Sequence, residues 1–164
     1  MTGRRSGRGD ESGAVEDVQP PERCEVEAGA GWPEMRGLFG VAVFPGVDRS
    51  PALARRFVRE VLGANPAADT VELCVSELVT NAVRYSASGD GGRVTVAIAE
   101  DGDVIRCEVT DDCGTPSTPH LRDDPGAEHG RGLIIVDAVC TRWGVTPGPE
   151  SVTVWCECTA AEGR

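Results

Sequence analysis

Apolar positions recur along this chain with two different periods, and the changes of period mark out its elements. "LFGVAVF" (Leu38 to Phe44) is a short apolar run closed by Pro45 and Gly46, which predicts a strand. In "RSPALARRFVREVLG" the apolar residues Leu53, Phe57, Val58, Val61 and Leu62 fall on one helical stripe. Pro51 stands at the first helical position, Ser50 is placed as an N-cap, and Gly63 ends the helix. After "ANPAAD" a second helix is predicted from about Ala67 to Tyr85, with Val71, Val75, Leu78, Val79 and Ala82 on its stripe. "RVTVAIAE" and "VIRCEVTD" read as strands joined through Asp101, Gly102 and Asp103, where the Asp-Gly step predicts a hairpin. A polar stretch from Asp112 to His129 then carries three prolines and no periodicity, a loop of the length that usually has a function. "GRGLIIVDAVCTRWG" reads as a helix entered through two glycines, and "RWGV" and "SVTVWCEC" are two closing strands. The order β-α-α-β-β-loop-α-β-β predicts an α+β fold, a two-layer α/β sandwich with a mixed, mostly antiparallel sheet and the helices on one face.

Residues 1–36 have no such periodicity and are rich in Gly, Arg, Glu and Pro, which predicts a disordered tail ahead of one domain over residues 37–160. The length of 164 residues and the apolar content of 40% suit one domain with its own core. Aromatics are only 4%, so that core must be built from Val, Leu, Ile and Ala. All 16 basic residues are arginine, which excludes a P-loop, whose lysine reaches the phosphates. A formal charge of -11 argues against nucleic acid or an anionic membrane surface as a partner, and no apolar run approaches the roughly 18 residues of a span. A soluble, cytoplasmic protein with a protein or small-molecule partner is expected. The seven cysteines are odd in number and five of them lie within predicted helices and strands, which favours reduced, buried thiols. Cys156 and Cys158 share one strand face, but no second pair with zinc-like spacing accompanies them in the sequence, so they are read as structural.

Three short patterns carry the candidate chemistry. In "VSELVTNAVRYS", Glu77 and Asn81 stand four apart on a helix and so project side by side, at the edge of the apolar stripe. In "CEVTDDCGTP", Cys107, Val109 and Asp111 alternate onto one strand face, so that Asp111 ends a core-facing row, where a carboxylate needs a donor such as an adenine amino group. Asp112 competes for that role one residue later. In "HGRGLIIVD", Gly130 and Gly132 flank Arg131 where a helix begins, and the N–H groups there attract an anion such as phosphate.

The order and spacing of the three together resemble the GHKL ATP-binding fold, the Bergerat fold shared by gyrase, histidine kinases, heat-shock chaperones and mismatch-repair ATPases. "ELVTNAVRYS" is similar to its N box, "VTDDCGTP" to its first glycine box and "EHGRGLIIVDAV" to its second. The small size and the closing "RWGV" and "VTVWCE" resemble bacterial anti-sigma factor serine/threonine kinases and related ATP-binding regulators, particularly of high-GC actinobacteria. The resemblance implies that Asn81 coordinates Mg²⁺, that Glu77 is the general base, and that Asp111 binds the adenine amino group of ATP. It further implies that Gly130, Arg131, Gly132 and Leu133 form the phosphate-side turn and that Thr153 joins the adenine network through water. Triphosphate charge would then be balanced by Mg²⁺, backbone N–H groups, the helix end and Arg131 instead of a lysine. Cys113 departs from the pattern, since glycine is usual at its place two residues after the aspartate.

The function implied is an anti-sigma regulator that binds ATP, sequesters a sigma factor and phosphorylates an anti-anti-sigma antagonist of STAS type on serine. The alternative is a nucleotide-gated binding module without turnover. Some relatives pair as homodimers, and the sequence leaves that open. A detached histidine-kinase module is disfavoured because His120 and His129 lie in the loop and not on a helical pair.

Overall fold

The computed structural model describes residues 37–85, 91–112 and 131–159. The tail of residues 1–36 and most of the loop after Asp112 lie outside them. Five strands and three helices follow in the order β1 (Gly37–Pro45), α1 (Ser50–Leu62), α2 (Ala68–Tyr85), β2 (Arg93–Asp101), β3 (Val104–Asp111), α3 (Arg131–Val139), β4 (Arg142–Pro147) and β5 (Val152–Thr159). The strands form one sheet in the order β1-β2-β3-β5-β4. All four ladders run antiparallel, so the expected mixture resolves to an antiparallel sheet among the described residues.

The helices cover one face of this sheet. The core between the layers takes Ala42 and Phe44 from β1, Val94, Val96 and Ile98 from β2, Ile105, Cys107 and Val109 from β3, and Cys156 and Cys158 from β5. Against them lie Ala54, Val58 and Leu62 of α1, then Val71, Cys74, Val75, Leu78 and Val79 of α2, with Leu133 and Val136 of α3. Each fully buried Val or Leu contributes about 1.5–3 kcal/mol. The α2 stripe is the one predicted. On α1, Val58 and Leu62 are buried, whereas Leu53, Phe57 and Val61 pack partly buried at its margin.

Local signals mostly act as expected. Gly63 ends α1 at φ 53° and donates its N–H to the Arg59 carbonyl. The β2–β3 hairpin turns through Gly102 and Asp103, with Asp101 paired to Val104 and Gly102 at φ 61°, a positive φ that glycine adopts without strain. Ser50 departs from expectation. Arg49 occupies the N-cap of α1 without a side-chain cap, while Ser50 is fully buried in the helix and its hydroxyl donates to the Pro45 carbonyl. The serine therefore fastens α1 to the end of β1 instead of capping a helix.

The opposite sheet face carries charge. Arg106 of β3 donates to Glu108 at 2.9 Å and to Glu157 of β5 at 3.0 Å, and its guanidinium stacks on Trp155 at 4.1 Å. Arg142 of β4 binds the other Glu157 oxygen at 2.6 Å. The side chains of Arg106 and Glu157 are 8% and 9% exposed, so removing one partner leaves the other's charge with little water. Arg106→Ala leaves Glu108 without this partner and Glu157 with Arg142, and should therefore lower the free energy of unfolding by about 1–3 kcal/mol in urea denaturation, the cost of a largely buried polar group left short of a partner.

Candidate nucleotide site

Glu77 and Asn81 lie half-buried on one side of α2, beside the stripe that seats the helix. What faces them is the start of α3. A Cβ added to Gly132 would stand 2.9 Å from Glu77 Oε2, 3.1 Å from Asn81 Nδ2 and 3.3 Å from Asn81 Oδ1. Both polar side chains thus lie against a backbone position that has room only for hydrogen. Gly132 is needed for this close approach, its φ being unremarkable for any residue. Leu133, the next residue, is 6% exposed and sits in the core, so its side chain anchors the first turn of α3. The other end of α3 is tied to β4 by Trp143 Nε1, which donates to Asp137 at 2.7 Å. The first N–H groups of α3 have no acceptor within the helix. Gly130 lies outside the described residues, and Arg131 is described only as the first residue of the helix.

Asp111 is 8% exposed at the end of the core-facing row of β3, paired across the sheet with Val94 and Val152. Asp112 is turned outward, its side chain 49% exposed and 3.8 Å from Arg93. The two neighbouring aspartates are thereby separated, and Asp111 is the buried one, on the helix-covered face. Thr153 is not brought to this site. It pairs with Thr110, their hydroxyls 2.8 Å apart, on the opposite face, and Val152 is the β5 residue beside Asp111. With a side-chain period of two, a difference of one position reverses the face, so Thr153 does not share a face with Asp111. Cys113 lies outside the described residues.

Contacts between α1 and α2 add a feature the sequence does not reveal. Arg55 donates to Ser76 at 2.7 Å, and both line a depression of about 450 Å³ that reaches Glu77 from the α1 side, with Arg59, Asp69, Glu72 and Leu73. Arg59 there holds Glu72 through a two-pronged ion pair. Residues 21 positions apart meet here through helix packing, and no local pattern announces it.

Glu77 and Asn81 on α2 thus lie against a glycine at the start of α3, with a buried aspartate closing β3, in an antiparallel sheet covered on one face by helices. Residues 47–156 match the histidine kinase-like ATPase domain family, HATPase_c_2, and the chain belongs to that family. Among solved structures it is similar to the crystal structure of the RsbU and RsbW domains of Rv1364c from Mycobacterium tuberculosis, with a TM-score of 0.52 at 20% identity. That match covers 73% of this chain and 32% of the other, so this chain spans about a third of the length of that protein. No curated protein matches.

Two expectations follow from the geometry. Gly132→Ala must displace the ends of Glu77 and Asn81 by a few tenths of an ångström, while alanine is the better helix residue. ATP affinity should fall in calorimetric titration, with thermal stability essentially unchanged. Asp111→Asn should weaken ATP about 10- to 100-fold, the share of a hydrogen bond to a charged group, and Asp112→Asn should have little effect. The reverse ranking would place the adenine acceptor one residue later.

Proposed function

We propose that this protein is an ATP-dependent anti-sigma regulator that holds a sigma factor and phosphorylates an anti-anti-sigma antagonist on serine. The observation that carries this reading is the meeting of Glu77, Asn81 and Gly132. The family supplies ATP as the nucleotide, and the likeness to a structure containing an RsbW domain supports the regulatory setting.

The residues present suit ATP and Mg²⁺. Gly132 leaves room for close approach at a helix start, where N–H groups and the helix dipole favour phosphate oxygens. That end contributes only about 0.3–2 kcal/mol, and the chain has no lysine, so a divalent ion is needed to neutralise the triphosphate. Asn81 Oδ1 would be the neutral oxygen ligand that holds Mg²⁺, and the ion would supply positive charge against the triphosphate. Asp111 accepts from the adenine amino group. Glu77 takes the proton of the antagonist serine as its oxygen bonds to the γ-phosphorus and the bond to the ADP oxygen breaks. The phosphoserine and ADP then leave, and Glu77 returns its proton to solvent.

The formal charge of -11 supports a protein partner over a nucleic acid. Among the described residues no helix is long and apolar enough to cross a membrane.

Separate substitutions on α2 test base and metal ligand. Glu77→Ala should leave ATP binding intact and reduce serine phosphorylation of the antagonist about 10²- to 10⁴-fold. Asn81→Ala should weaken nucleotide binding in Mg²⁺ and phosphorylation together. ATP affinity and radiolabel transfer, measured for both variants, give the pattern. Wild type and Glu77→Ala equally inactive toward every antagonist, with ATP and sigma factor still bound, would replace the kinase by a nucleotide-gated binder.

A further inference from the structure

Four cysteines from three elements converge beneath α2. Cys74 projects from the inner side of α2, Cys107 from β3, and Cys156 and Cys158 from β5, all at 0% exposure. The β3–β5 register sets Cys107 directly opposite Cys156, and their sulfurs are 2.9 Å apart. The sulfurs of Cys74, Cys156 and Cys158 all lie within 4.8 Å of one another. Elsewhere the same layer is filled by Val71, Val75, Val79, Val96 and Val109, so apolar packing alone does not call for sulfur at these four places.

We propose that Cys74, Cys156 and Cys158, with Cys107 as a fourth ligand, form a binding site for a soft, thiophilic d¹⁰ cation, Zn²⁺ or Cu⁺. Zinc–sulfur bonds of about 2.3 Å in a tetrahedron place thiolates about 3.8 Å apart. The limit of 4.8 Å on the three-sulfur group is compatible with that spacing, and Cys107 reaches it by moving away from Cys156. Zinc takes four ligands, and among the described residues Cys107, whose sulfur lies against that of Cys156, is the further thiol at the group; Cu⁺ is satisfied by the first three. Sulfur is the donor type both ions prefer, and the dry surroundings exclude water as a competing ligand. Thiolate is the ligating form of cysteine, so the ligating thiols give their protons to solvent as the metal binds. Since the cluster is closed to solvent, the ion enters while the chain folds. It would then clamp α2 to β5 one helical turn from Glu77.

The test uses the full chain, unfolded with chelator and reductant, then refolded anaerobically without metal, with Zn²⁺, or with Cu⁺. After desalting, metal content is measured by mass spectrometry and thermal stability by circular dichroism. One retained equivalent and a higher Tm are expected, and refolding with Co²⁺ should give thiolate-to-metal charge-transfer absorption. Cys74→Ala and Cys158→Ser should lose the equivalent, whereas the combined variant Cys24→Ser/Cys113→Ser/Cys140→Ser should keep it. Cys107→Ala that loses Zn²⁺ but keeps Cu⁺ assigns a three-thiolate copper site; loss of both assigns four ligands. Should a core variant fail to fold, the wild-type metal content and cobalt spectrum decide alone. Wild type that retains neither ion overturns the proposal. So does an equivalent that survives Cys74→Ala, or a Cys107–Cys156 disulfide found by peptide mapping in the protein as purified.

Discussion

The burial of one stripe of α2 against the sheet is the constraint on which the rest of the molecule depends. Val71, Val75 and Val79 are fully buried and Leu78 nearly so, and α2 touches α1, α3 and the strands β2, β3 and β5. Among the described helices, α1 lies against β1 and α3 against β4, and α2 spans the middle of the sheet. Because 3.6 residues make a turn, seating that stripe also fixes the direction of every other residue on the helix. Glu77 and Asn81 emerge on the side that α3 approaches, Ser76 meets Arg55 of α1, and Cys74 turns inward to β5. Apolar packing thus sets the positions of the polar groups without any of them contributing much to holding the helix.

The two faces of the sheet divide the chemistry. On the helix-covered side, the alternation along β3 buries Cys107 and Val109 and brings Asp111 to the margin of the same layer. On the other side the same strand presents Arg106, Glu108 and Thr110, paired with Glu157 and Thr153 of β5. A buried ion pair needs nearly all its hydrogen bonds made to offset desolvation. Here Arg106 meets two carboxylates and an indole face, and Glu157 meets two arginines.

Much of this was legible in the sequence because it depends on local pattern. The helical stripes, the Asp-Gly hairpin and the row ending in Asp111 follow from periods of 3.6 and 2, which local windows reveal. The association of Glu77 and Asn81 with the glycine-flanked helix rested on resemblance, and their proximity to Gly132 is geometric. What was not legible depends on partners distant in sequence. The resemblance implies that Thr153 joins the adenine network through water, whereas the β3–β5 register, which no local window contains, sets it against Thr110 and sets Val152 against Asp111. Cys156 and Cys158 share a strand face by their spacing, but their convergence with residues 74 and 107 is encoded by no linear spacing. Ser50 had the right residue type and place for a cap, but Pro45 offered its hydroxyl a carbonyl from the neighbouring strand.

The β3–β5 ladder joins strands that are neighbours in space and far apart in the chain, Cys107 and Cys156 being separated by 49 positions. Everything between Asp112 and Arg131 leaves from the inner strand β3 and returns through α3 before the sheet continues. The entropy of closing a flexible loop grows only with the logarithm of its length, about 0.6 kcal/mol for each doubling. Once β3, α3 and β5 have secured the two ends, the segment between them can gain or lose residues while the five-stranded frame stays the same. The frame thus fixes where this segment begins and ends and leaves its length free, while the strands beneath the candidate site are held to their register.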